Sequence, residues 1–193
     1  MAVYDKIRIA VDQWEYADEE KLAELILYVA SKIRDDPTGG ATKINKILYF
    51  SEFAHVRGHG VPITGVSYQK LPQGPAPRRL RPIRDRLIEQ GAAELQRDDY
   101  FGYRLDRLVP LRDVDMSKLA PSEVQIVDQV VEALRGKTAQ EASELSHKDK
   151  AWQLVEMYDD RPLSTAYLAP RSVVTDASRR HATVLAEKLG LSG

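Results

Sequence analysis

The sequence predicts a mainly α fold of the α+β class: a compact helical domain with a small antiparallel β-hairpin and a C-terminal helical appendage. Three observations predict it. Apolar residues recur at three- and four-residue spacing in several segments that glycine or proline ends. One segment alternates apolar and polar residues around a short polar connection. A chain of 193 residues with 43% hydrophobic content has room for one core plus an appendage, so we predict domains at 1–160 and 161–193.

The helical segments have clear beginnings and ends. The first carries Leu22, Leu25, Ile26 and Val29 on one face, and Pro37 follows it. The second is expected to stop at Gly58. Ser122 with Gln125, and Thr138 with Glu141, have capping-box spacing and mark two later helix starts. The predicted helices run over residues 18–36, 42–57, 76–90, 122–136, 138–145 and 176–189.

The predicted hairpin has alternating apolar residues on both sides of the polar connection "RDDYFG", with Ala93 and Leu95 before it and Tyr103 and Leu105 after it. A short extended piece, "ITGVSYQ", precedes the third helix. The resulting order of helix, helix, extended piece, helix and hairpin is that of many winged-helix domains. Binding to DNA is therefore a function to weigh.

The charge supports DNA binding only locally. The whole chain has a net charge of −1, whereas residues 70–89 hold six basic and two acidic side chains. In a DNA-binding regulator of its own operon, Arg78, Arg79, Arg81 and Arg84 would contact phosphates. The same arginines also suit an ordinary solvated helix face, and both interpretations stay open.

The amino-acid composition indicates the cellular compartment in which the protein is expected. The chain has no cysteine, which excludes disulfides and thiolate zinc sites and fits the cytoplasm. No stretch approaches the roughly 18 consecutive apolar residues of a membrane span, so no membrane association is predicted.

Patterns for catalysis are weak. No glycine-rich phosphate loop lies between a strand and a helix. Glu52, His55 and His59 have helical spacing for a metal site, but a helix ending at Gly58 would separate the two histidines. Ser146 beside His147 lacks a nucleophile elbow. We predict no enzyme activity, no catalytic residue, no cofactor and no metal.

One stretch carries a family resemblance. "KINKILYFSEFAHVRGHGVPITGVSYQKLPQGPAPRRL", residues 43–80, resembles the Panacea domain, also called the SocA-like antitoxin domain, of bacterial and phage proteins. The shared pattern is a Lys-rich helix ending in Leu-Tyr, a Gly-x-Pro-Ile-Thr-Gly segment, and then Tyr-x-Lys and Gly-Pro. A later Ser-His with a downstream tryptophan resembles the family's second signature. The resemblance spans about residues 22–155.

The resemblance implies an antitoxin that neutralises a cognate toxin by direct binding or by delivering it to a protease. It implies toxin–antitoxin systems of phages and mobile elements, and it leaves the toxin and the oligomeric state open. The residues it marks, with neighbouring interface-type side chains, are the predicted partner-binding set: Tyr49, Pro62, Ile63, Thr64, Tyr68, Lys70, Leu71, Gly74, Pro75, Arg78, Arg79, Ser146, His147 and Trp152.

Two expectations concern particular segments. If prolines and glycines form a rigid ridge for a partner, replacing Gly74 and Pro75 should change binding more than folding. The ridge residues also suit a tight internal turn that supports the core. The apolar residues after Pro162 either fold back on the domain or form a toxin-binding arm.

Overall fold

A computed structural model describes residues 17–100 and 103–168. The predicted helix at 176–189 lies outside the described residues. Within them, six α-helices and a small amount of antiparallel sheet confirm the mainly α (α+β) class.

Two long helices form the centre. Helix α1, Glu19–Lys32, starts at Asp18, whose side chain accepts a hydrogen bond from the Lys21 amide. Helix α2, Ala41–His59, ends at Gly60 in the left-handed conformation with φ 76°. The predicted stop at Gly58 is wrong, because this glycine remains helical and the residue that leaves the helix is Gly60.

The later helices begin close to where the sequence places them. Helix α3 is Leu80–Glu89, shorter than predicted because Ala76–Pro77 pair as a strand. Helix α4, Pro121–Leu134, begins earlier than its predicted cap at Ser122, with proline in its first turn. Helix α5, Ala139–His147, has the predicted capping box of Thr138 and Glu141, and α6 is Lys150–Leu154.

Two antiparallel sheets flank the helices. Strands β1 (Tyr68–Gln69), β2 (Ala76–Pro77) and β5 (Asp160–Arg161) pair in the order β2-β1-β5. Strands β3 (Ala93–Tyr100) and β4 (Tyr103–Pro110) form the predicted hairpin. Its connection is shorter than "RDDYFG", because pairing continues to Tyr100 opposite Tyr103.

Helix α2 organises the core. It packs against α1, α4, α5 and both sheets, and also against a 3-10 segment at Leu163–Leu168. Leu163 and Ala166 are buried there, so the first residues of the predicted extension fold back onto the domain. The division at residue 160 otherwise stays a prediction. No helix in the described part of the chain is both long and apolar enough to cross a membrane.

Candidate partner-binding site

The Gly-x-Pro-Ile-Thr-Gly segment is held from inside by one carboxylate. Glu52 of α2 is completely buried and accepts hydrogen bonds from the Thr64 amide (2.9 Å), the Gly65 amide (2.9 Å) and the Thr64 hydroxyl (3.0 Å). Burial raises the pKa of Glu52, while these hydrogen bonds oppose the shift. The turn after α2 is therefore fixed by the domain itself.

The hydrogen bonds of Glu52 argue against a metal site formed by Glu52, His55 and His59. Because α2 continues to His59, the rings of His55 and His59 do stack, with centroids 4.4 Å apart. His55 Nδ1, however, lies 2.8 Å from the Val61 carbonyl oxygen, and Glu52 holds the next turn. Among the described residues, no group of three or more His, Cys, Asp or Glu side chains is arranged to hold a metal ion.

Tyr49 and Tyr68 belong to a buried aromatic cluster. Their rings lie 5.8 Å apart, and Phe53 lies 4.8 Å from Tyr49. The Arg161 guanidinium covers the cluster, 4.1 Å from the Phe53 ring centre and 4.8 Å from that of Tyr49. Burial lowers the pKa of Arg161 to about 9, so the group stays charged at neutral pH. Both tyrosines stabilise the fold and are not exposed to a partner.

The Gly-Pro turn lies against a buried lysine. Gly74 has φ 93°, and a β-carbon there would lie within the van der Waals radii of Lys46 Nζ and Ser146 Oγ. Lys46 is 1% exposed and donates to the Pro75 carbonyl oxygen at 3.3 Å. Burial lowers its pKa to about 8. Replacement of Gly74 is therefore expected to disturb the packing of Lys46 and Ser146, whatever it does to the binding of a partner.

A stack of three side chains, Lys70, Trp152 and His147, joins the residue after β1 to α5 and α6. The His147 and Trp152 rings stack with centroids 4.1 Å apart, and Lys70 Nζ lies 4.1 Å from the Trp152 ring centre. Lys70 Nζ also donates to the Val155 carbonyl oxygen at 2.7 Å. Burial lowers the pKa of His147, and the charges of Lys46 and Lys70 lower it further. The lowered pKa of His147 favours the neutral imidazole.

Large apolar side chains are exposed next to this stack. Leu154, at the end of α6, is 74% exposed, and Met157 and Tyr158 follow it on the surface. The Tyr158 amide donates to the Lys70 carbonyl oxygen at 2.9 Å, which ties this loop to β1. We call Lys70, Leu71, His147, Trp152, Leu154, Met157 and Tyr158 the α6 surface.

Three of the four arginines predicted to contact phosphates are paired with acidic side chains. Arg78 pairs with Asp160, Arg79 with Glu19 at 2.6 Å, and Arg84 with Asp85 at 2.7 Å. Such exposed pairs contribute little stability, but they offset the local positive charge.

The fourteen predicted residues thus divide by accessibility. Half are buried: Tyr49, Ile63, Thr64, Tyr68, Gly74, Pro75 and Ser146. Arg78 and Arg79 are exposed, and Pro62, Lys70, Leu71, His147 and Trp152 are partly exposed. The structure brings Lys70, His147 and Trp152 together, and it brings Gly74, Pro75 and Ser146 together around Lys46.

The sequence analysis does not identify several residues that the structure places in this region. Arg161 and Asp149 are far from α2 in the chain, and no spacing rule predicts that they meet Tyr49. Tyr158 and Leu154 lie in a stretch without periodicity. Lys46 has a recognisable signal, because it is a lysine between apolar neighbours in a helix that the sequence predicts to be largely buried, and a buried lysine requires a special environment.

Comparison with known proteins identifies the family. Residues 44–153 match the family described as antitoxin SocA-like, Panacea domain. The match covers more than half of the chain, and the protein belongs to this family. No curated protein and no solved structure matches the chain.

Proposed function

We propose that this protein is a cytoplasmic antitoxin that neutralises a cognate toxin by direct protein–protein contact and without catalysis. The observation that carries the proposal is the family match over residues 44–153. Release of the bound toxin to a protease is a second mode of neutralisation by the same contact. A stability assay of the toxin in cells separates the two modes, because only delivery shortens the toxin's lifetime.

The α6 surface is the proposed contact. Aromatic and large apolar side chains at a protein surface favour partner binding when they are held in place, because little side-chain entropy is then lost. Trp152 is held between His147 and Lys70, and the Tyr158 backbone is fixed to β1. Leu154 and Tyr158 are 74% and 59% exposed, so both are accessible to a partner.

The test is a matched pair of leucine substitutions in cells that express the neighbouring open reading frame as toxin. Leu154→Asp should abolish rescue of growth and leave the melting temperature unchanged. Leu111→Asp is the control, because Leu111 is 55% exposed and lies after β4 instead of on the α6 surface. Equal rescue by both variants would remove the α6 surface from the proposal. A neighbour that is not toxic when expressed alone would contradict the antitoxin function.

Regulation of its own operon through DNA is the weaker alternative. The ion pairs of Arg78, Arg79 and Arg84 reduce the charge that phosphates would meet. A mobility-shift assay with the upstream region at low salt decides the matter, since phosphate contacts are strongest there.

A further inference from the structure

A cavity with both polar and apolar lining residues lies next to Lys46. It has a volume of about 550 Å³ and lies between α2, the Gly-Pro turn and the start of α3. Its lining includes three cationic side chains, Lys46, Arg78 and Arg81, and the amide side chain of Asn45. The volume falls within the roughly 300–1,000 Å³ of ordinary small-molecule sites. We call it the Lys46 pocket.

Lys46 forms fewer hydrogen bonds within the described part of the chain than its ammonium group allows. Its ammonium has three donors, whereas the described residues offer it one long hydrogen bond, 3.3 Å to the Pro75 carbonyl oxygen. No described carboxylate forms an ion pair with it. A buried cation without a counter-ion is costly, so an anion that reaches it would gain a desolvated and strong interaction.

The pocket offers two further features that suit an anion. Helix α3 begins at the wall of the pocket, and Arg79 at its N-cap provides no side-chain cap. The amides of Leu80 and Arg81 are therefore free of that competition, whereas Pro82, the next residue, has no amide hydrogen. Arg81 and Arg78 bring guanidinium groups, whose planar donor pairs match phosphate oxygens. Asn45 Oδ1 is buried without a hydrogen-bond partner among the described residues, and it could accept from a ligand hydroxyl.

We propose that the Lys46 pocket binds a small phosphorylated molecule, with a phosphate group on Lys46 and Arg81 and a hydroxyl group on Asn45. The pocket is too large for one carboxylate, and its cations match the multiple negative charge of a phosphate or diphosphate. Arg78 would exchange its exposed partner Asp160 for the ligand. This site borders the α6 surface, because Leu71 belongs to both, but it does not depend on the antitoxin function.

The experiment is calorimetric titration of the full-length protein with inorganic phosphate, pyrophosphate and adenosine diphosphate. We expect saturable one-to-one binding of at least one probe, at least tenfold weaker in Lys46→Met. Lys32→Met is the control, since Lys32 is a half-exposed lysine on α1 that pairs with Asp128. It should leave the affinity unchanged.

Arg81→Ala provides an independent variant if Lys46→Met does not fold. We expect it to weaken binding at least threefold without altering the melting temperature. Absence of saturable binding for all three probes at millimolar concentration would overturn the proposal. Equal affinity of the wild type and a folded Lys46→Met would overturn it as well.

Discussion

Arg161 donates a hydrogen bond from its guanidinium to Asp149 Oδ2 at 3.0 Å, and the Tyr49 hydroxyl donates to the same oxygen at 2.7 Å. These contacts join β5, the loop before α6 and the middle of α2. Arg161 is 1% exposed and also covers the rings of Tyr49 and Phe53. A residue from the predicted C-terminal extension therefore completes the core of the domain.

Truncation after Asp160 should consequently destabilise the protein severely. It removes Arg161 from its ion pair with Asp149, and loss of one partner from a buried ion pair costs about 3 to 5 kcal/mol. It also removes the buried side chains of Leu163 and Ala166. Thermal melts of chains ending at residues 160 and 168 measure the effect. The longer chain keeps all three side chains, and similar melting of both would contradict the role of Arg161.

Gly74→Ala should lower the free energy of unfolding by about 1 to 3 kcal/mol. The positive φ strains any β-carbon, and the added methyl group must also displace Lys46 Nζ or Ser146 Oγ. Gly91→Ala is the matched control, because Gly91 has φ 69° but no atom within 4 Å of the position that its β-carbon would take. Urea denaturation compares the two. Equal losses would show that the contacts with Lys46 and Ser146 cost nothing.

The sequence predicts the local elements well and their long-range partners poorly. The start of α1 next to Asp18 and the Thr138–Glu141 box appear as expected, since both depend on neighbours in the chain. The predicted stop at Gly58 fails because α2 continues through this glycine to His59. Periodicity carries no information about which distant strand Arg161 will join. The motif marks Tyr49, Tyr68 and Gly74 for partner binding, whereas the structure buries all three residues.

Glu52→Ala should destabilise the fold by about 2 to 4 kcal/mol, because it leaves the buried amides of Thr64 and Gly65 without their acceptor. Glu52→Gln retains one acceptor oxygen and should lose less. The raised pKa of Glu52 also sets a pH dependence. The unfolded chain releases this proton first, so the contribution of Glu52 declines as pH rises from about 4.5 to the folded-state pKa. Chemical denaturation of the wild type and both variants across this range checks the order of stabilities, and the pH dependence is measured as the difference between the wild type and the Gln variant. A Gln variant as unstable as the Ala variant would argue against the acceptor role.

Lys46→Met should stabilise the protein at pH 7 by about 1 to 3 kcal/mol. Burial lowers the pKa of Lys46 from 10.5 to about 8, which corresponds to a penalty of about 3 kcal/mol for the charged folded form, and methionine removes it at the cost of one weak hydrogen bond. The unfolded wild type holds this proton up to pH 10.5, whereas the folded wild type releases it near pH 8. Wild-type stability relative to Lys46→Met should therefore rise between those two values. Urea denaturation of the wild type and Lys46→Met at about pH 7, 9 and 10.5 measures the difference between their free energies of unfolding. The other lysines and tyrosines titrate in both proteins, so their effect cancels in this difference. A stability difference that does not change with pH would show that the Lys46 ammonium is not desolvated in the folded protein.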